Sequence, residues 1–283
     1  MTSTVERVAE APSGKGSGDE NFPVGSFLLP ARLRPHIALF YAYARAIDDI
    51  ADSPDLTPGE KLFRLEGFAQ AIRGETNDPA FAKGIAIRDS LHAAGITTRH
   101  CLDLISAFKQ DAVKNRYADW GELISYCDRS AAPVGRYFLD LHGESGAGYP
   151  AADALCNALQ IINHLQDCKD DYQTLDRVYL PMDWMTEAGA DVAQLDARAA
   201  GPALRHVFDR CLDGVQMLLA EARRLPPSLR TRRLAMESAA ILNIAERLTI
   251  MLRRQDPVAN RVELAKPAFL WCCLRGVGQS LFR

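Results

Sequence analysis

The amino-acid sequence predicts an all-α fold, and three observations carry that expectation. Apolar residues recur at helical spacing almost unbroken from residue 33 to residue 280. Alternating β-branched runs are nearly absent, and the main Pro and Gly breakers fall between the periodic stretches. With 48% hydrophobic and 24% charged residues over 283 positions, the composition is globular, and the chain can bury a core without staples.

Helices are predicted over residues 33–52, 58–73, 78–93, 98–115, 120–141, 151–173, 200–224, 228–255 and 260–280. Pro54 closes the first and Pro58 opens the second, while Gly74 and Gly95 end the second and third. The stretch Gly143–Pro150 separates the fifth from the sixth, and Pro181 follows the sixth. Pro226–Pro227 and Pro257 set off the last two. A prior of about 150 residues per domain suggests two domains, but no linker-like stretch parts the helices. The expected organisation is a mobile, Gly/Ser-rich tail over 1–20 and one bundle-like domain over 21–283.

Lys and Arg total 33 against 36 Asp and Glu, a net charge of −3, which argues against a generic nucleic-acid binder. Seven Cys, at 101, 127, 156, 168, 211, 272 and 273, form no CxxC pair and read as reduced core thiols. The first twenty residues hold no apolar core of a secretory signal. The longest apolar run, Ala268 to Leu274, falls far short of the roughly 20 residues that span a bilayer. A cytoplasmic protein, peripheral to the inner membrane face at most, is expected.

Two helices carry the chemistry. In the first, Tyr41, Arg45, Asp48 and Asp52 fall within an arc of roughly 60° at about 100° per residue, with Asp49 at its edge. The rest of that helix is apolar: Ile37, Leu39, Phe40, Ile47 and Ile50 among alanines. A surface helix shows the reverse pattern, a wide polar face and an apolar stripe, so the polar stripe is expected to face an internal cavity. In the sixth helix, Gln160, Asn163, Asp167 and Asp171 fall within about 80°, and the inversion recurs.

Carboxylates gathered from two such stripes repel one another unless something offsets their charge. Hard divalent cations with oxygen ligands do so, and Mg²⁺ in particular takes a few carboxylates together with waters and substrate phosphates. The expected site is therefore a Mg²⁺ cluster bridging to a diphosphate, where it would stabilise the charge of a departing group. The bland alternative for Asp48-Asp49-x-x-Asp52 is a solvated helix end, next to Ser53-Pro54. The second stripe and its amides weigh against it. Glu-x-x-His pairs, His-Glu-x-x-His and a phosphate-binding Gly-x-x-x-x-Gly-Lys loop are all missing from the sequence.

These segments resemble the squalene/phytoene synthase family. Its first motif, Tyr-x-x-x-Arg-x-x-Asp-Asp-x-x-Asp, stands here as Tyr41, Arg45, Asp48, Asp49 and Asp52. Its second stands as Gln160, Asn163, Asp167 and Asp171, and an Arg-x-Tyr-Leu-Pro element follows as Arg177, Tyr179, Leu180 and Pro181. Ser26-Phe27 and Val134-Gly135 match as well. The resemblance implies an isoprenoid-synthase-type helical bundle with a central cavity, three Mg²⁺ ions and a prenyl diphosphate substrate. It implies metal ligation by Asp48, Asp52, Asn163, Asp167 and Asp171, with Asp49 a weaker candidate. Arg45 would bind diphosphate, Gln160, Phe27, Val134 and Gly135 would line the substrate pocket, and Arg177 and Tyr179 would stand on a flap over the diphosphate.

Within the family the likeness is nearest to its bacterial hydroxysqualene-forming branch of hopanoid pathways, in which presqualene diphosphate ionises, rearranges and is captured by water. Many relatives carry Arg before the first Asp of the second motif. Here that residue is Gln166, which removes one expected diphosphate contact. Phe27, Tyr41, Tyr137 and Phe138 are candidate aromatic walls for a carbocation, each with a plain core role as its alternative. Basic clusters at Arg230, Arg232–Arg233 and Arg253–Arg254 read as solvated helix faces, with transient membrane-surface contact as a weaker expectation. Two rival readings stay open: a head-to-head prenyltransferase making presqualene diphosphate or phytoene, and a non-catalytic assembly factor of the same fold. Such factors typically lose the aspartates that this chain keeps.

Overall fold

The computed structural model describes residues 9–11 and 29–281. Of the expected tail, only 9–11 fall among them: Ala9 is buried and Lys83 pairs with Glu10 at 2.5 Å. Phe27 and Ser26 lie outside the described residues. The chain divides into two compact units at Val113/Lys114.

The first unit holds α1 (Arg34–Asp52), α2 (Pro58–Arg73), α3 (Ala82–Ala94) and α4 (Arg99–Asp111). Thr57 starts α2 with a reciprocal capping box to Glu60, and Gly74 ends it in the left-handed conformation at φ 78°. The predicted start at 78 for the third helix is a 3₁₀ turn, Pro79–Phe81, capped by Asp78. Tyr43 of α1 is fully buried and donates its hydroxyl to the Cys101 carbonyl of α4 at 2.8 Å, which fixes the rotation of α1 against α4.

The second unit contains α5 (Trp120–Ser130), α6 (Ala132–Leu141), α7 (Tyr149–Gln166), α8 (Cys168–Leu175), α9 (Met182–Ala188), α10 (Pro202–Ala222), α11 (Leu225–Ser228), α12 (Arg232–Arg254) and α13 (Lys266–Leu281). The single helix predicted over 120–141 is two, broken at Ala131 (φ −125°, ψ −48°), two residues before Pro133. Proline has no N–H to continue the ladder and restricts its predecessor, so the chain restarts there. The helix predicted over 151–173 is likewise interrupted, at Asp167. Buried α7 packs against α5, α6, α10 and α12.

Beside the helices the described residues form one small sheet. A short parallel pair joins β1 (Arg116–Tyr117) to β2 (Val178–Pro181). Two to four residues carry no readable alternation, and β2 is buried throughout, so its pattern merges with the helical ones. All seven cysteines are free thiols, five of them buried.

Candidate active site

On α1 the acidic end is organised by one guanidinium. Arg45 Nη1 lies 3.0 Å from Asp48 Oδ2, and Nη2 lies 2.7 Å from Asp49 Oδ1, so the fork spans both carboxylates one turn ahead. Asp49 is buried, while Tyr41, Asp48 and Asp52 are half-buried. Asp49 is thus the most enclosed of the three and the one nearest Arg45. Burial and the neighbouring Asp52 carboxylate push the Asp48 carboxyl well above the usual carboxylate range in spite of Arg45. Asp49 adds to that push, and so does Asp111, a buried carboxylate at the end of α4. Asp111 carries no local sequence signal of this role, because only the packing of α4 on α1 brings it there.

In the second unit, Asp167 sits at the bend between α7 and α8. Its N–H donates to the Asn163 carbonyl at 2.9 Å, and its own carbonyl accepts from Asp171 N–H at 2.8 Å. The i, i+4 ladder therefore runs through the bend and keeps Asn163, Asp167 and Asp171 on one side of the backbone. Arg261, in the loop between α12 and α13, pairs with Asp167: Nε is 3.0 Å from Oδ1, and Nη2 donates to Oδ2 at 3.4 Å. The same Nε lies 3.2 Å from Glu263. Gln166 is buried and donates its side-chain amide to the Val262 carbonyl of that loop.

Around His164 the unit builds an aromatic stack. The imidazole lies 3.6 Å from the Tyr179 ring, nearly parallel at 11°, and Tyr179 stacks in turn on Tyr117 and Tyr126, 5.6 Å from each. Gln160 and the imidazole meet at 3.2 Å. Burial, reinforced by the Arg177 charge, lowers the His164 pKa to about 3, so the ring is neutral. Arg177 and Tyr179, expected on a flap, are both buried, Tyr179 within β2 and Arg177 just before it. The backbone N–H of Arg177 donates to the Asp171 carbonyl at 3.1 Å, which ties the strand to the acidic segment.

Val134 and Gly135 lie in the first turn of α6. A Cβ on Gly135 would stand 2.8 Å from Cys156 Sγ, so the glycine lets α6 approach α7. Tyr137 is buried, edge-on to Phe138 with centroids 6.0 Å apart.

Each acidic segment by itself carries the oxygen donors that Mg²⁺ takes, and at Asp48 neighbouring carboxylates act against the ionised form more than Arg45 favours it. Among the described residues no three His, Cys, Asp or Glu side chains form a ready-made metal cage. Mg²⁺ needs none, since one or two carboxylates with waters and substrate phosphates complete its shell.

The squalene/phytoene synthase model matches residues 16–268, and the chain belongs to that family of enzymes. It is 42% identical over 281 residues to the hydroxysqualene synthase of Rhodopseudomonas palustris, covering 97% of this chain and 94% of that one. The hydroxysqualene synthase of Zymomonas mobilis is 39% identical over 272 residues, 95% and 91% of the two chains. Among solved structures, the squalene synthase HpnC from Alicyclobacillus acidocaldarius superposes with a TM-score of 0.71 at 31% identity, over 82% of this chain and 87% of that one. A dehydrosqualene synthase with bound ligand gives 0.77 at 20% identity, over 94% and 93%, and shares the helical fold.

Proposed function

We propose that the chain ionises presqualene diphosphate and lets water capture the rearranged cation, giving hydroxysqualene and diphosphate, as in hopanoid formation. One observation carries this choice within the family. Identity is 39–42% to three hydroxysqualene synthases and 28–31% to the phytoene synthases compared.

In this reading Asp48, Asp52, Asn163, Asp167 and Asp171 would hold three Mg²⁺ ions, with Asp49 as a lesser contributor. When bound, the metal offsets the charge that grows on the departing diphosphate. Arg45 holds the Asp48 and Asp49 carboxylates oriented before substrate arrives and places its positive charge where diphosphate would bind. Arg261 plays the corresponding part at Asp167, supplying from a distant loop the cation that position 166 lacks.

The carbon skeleton is left as a cation that water must reach late. His164, held neutral within the stack of Tyr117, Tyr126 and Tyr179, adds no competing positive charge of its own. The C–O bond to diphosphate breaks, a water oxygen bonds to the rearranged carbon, and that water gives up one proton. No electrons are required from a nicotinamide.

The experiment is an incubation with Mg²⁺ and no reductant, offering presqualene diphosphate and farnesyl diphosphate separately, with lipids read by mass spectrometry. An alcohol from presqualene diphosphate alone supports the proposal. Consumption of farnesyl diphosphate would assign the chain to the coupling transferases, and inertness toward both would assign it to non-catalytic relatives.

A further inference from the structure

Helix α13 carries an apolar stripe that stands in solvent. Leu270, Trp271 and Leu274 are 59%, 67% and 58% exposed, whereas Cys272 and Gly276 on the opposite side are buried. The inward face packs on α12 so tightly that a Cβ on Gly276 would fall 2.4 Å from the Ala240 nitrogen, which fixes the rotation of α13. By helical geometry the three exposed side chains span roughly 100°, with Lys266 just beyond one edge and Arg275 beyond the other. From Leu264 to Arg283 the sequence holds no acidic residue, although the whole chain is net negative.

We propose that this face docks the protein on a bilayer surface bearing anionic headgroups. Leu270, Trp271 and Leu274 enter the boundary between headgroups and acyl chains, and Lys266 and Arg275 meet the lipid phosphates. A tryptophan with leucines beside it and cations at the rim is the side-chain set an interface of this kind retains. Three apolar side chains are too few for a stable contact with a second copy, which draws on about 20–30 residues a side. Among the described residues no helix is long and apolar enough to cross a membrane, so the contact lies on the surface.

The basic clusters that sequence alone pointed to are partly committed elsewhere. Arg253 pairs with Asp213 at 2.5 Å, and Arg230 donates to the Gly143 carbonyl and pairs with Glu144 at 3.7 Å. Helix α13, by contrast, follows directly on the loop whose Arg261 holds Asp167. Lys266, at the start of this helix, stands five positions beyond Arg261 in the chain. The benefit of that proximity rests on the proposed lipid diphosphate substrate.

The test is flotation of the full chain, without substrate, on vesicles of phosphatidylcholine alone or mixed with phosphatidylglycerol. Binding to the anionic vesicles is expected to exceed binding to neutral ones by about tenfold or more and to weaken with salt. The double variants W271A/L274A and K266Q/R275Q should each lower it by about tenfold. Melting temperature and turnover of detergent-dispersed substrate should stay unchanged. Equal binding to both vesicle types, or binding untouched by either double variant, would overturn the proposal. So would self-association without lipid that W271A/L274A abolishes, which would assign the face to a second copy. Because binding is read without substrate, a failed reaction assay leaves this result interpretable, and the converse holds.

Discussion

Arg261 and Asp167 meet as a two-point ion pair, 3.0 Å through Nε and 3.4 Å through Nη2, although they lie 94 residues apart in sequence. The pair places a guanidinium beside the first aspartate of the second acidic motif without any arginine in the motif. Arg261 is half exposed, so its removal should cost the fold little. Arg261→Ala is expected to lower kcat/KM for the diphosphate substrate by about ten- to hundredfold, and Arg261→Lys to recover only part of it, because a point charge does not replace the fork. Steady-state kinetics beside a thermal melt checks this; unaltered kinetics in Arg261→Ala would remove the residue from the site.

Position 166 is the counterpart of that pair. Gln166 is 2% exposed and spends its amide on the Val262 carbonyl, one residue from Arg261. Gln166→Arg, which restores the residue many relatives carry, should therefore not improve diphosphate binding. It should destabilise the protein by about 3 kcal/mol, because it buries a guanidinium and releases the loop. Chemical denaturation reads the loss, and a Gln166→Arg variant as stable as its parent and tighter for diphosphate would contradict the assignment.

Asp48 of α1 and Asp111 at the end of α4 bear on the same acidic position in different ways. Asp48→Asn is expected to reduce turnover by at least about a thousandfold. Stability should hold or rise, since the substitution removes charge from a crowded acidic position. Asp111→Asn removes a neighbouring charge without removing a proposed ligand, so its effect on kcat should be about tenfold or less. Kinetics of the two variants at saturating Mg²⁺ distinguishes the roles. Equal losses would place Asp111 among the ligands.

Metal and diphosphate should stabilise the fold together. Inorganic diphosphate with Mg²⁺, each well above its dissociation constant, is expected to raise the melting temperature, on the order of 2.7 kcal/mol at a hundredfold excess. Diphosphate with chelator should not, and Asp167→Asn should blunt the shift. Differential scanning calorimetry reads this without turnover, and a shift that persists in chelator would point to the arginines alone.

The helices most legible in the sequence were those with local punctuation. The bounds of α2 fall at Pro58 and Arg73 because Pro58 opens it and Gly74 closes it, signals that need no tertiary context. The split at Ala131 had a visible cause in Pro133, but apolar periodicity on both sides masked it. The bend at Asp167 had no local cue, since the hydrogen-bond ladder continues through it. The acidic motifs were readable because helical spacing sorts side chains onto one face. Asp111, Arg261 and the stack of Tyr117, Tyr126 and Tyr179 were not, because each joins its site through packing between elements far apart in the chain.

The central claim is that water, and no second prenyl group or hydride, captures the cation made from presqualene diphosphate. Single-turnover reaction in heavy-oxygen water tests it most directly, with the alcohol and the released diphosphate analysed by mass spectrometry. The account predicts the heavy oxygen in the hydroxyl of the C₃₀ alcohol and none in the diphosphate, since the carbon–oxygen bond is the one that breaks. Heavy oxygen in the diphosphate with an unlabelled alcohol would contradict it, as would a hydrocarbon product with no oxygen at all.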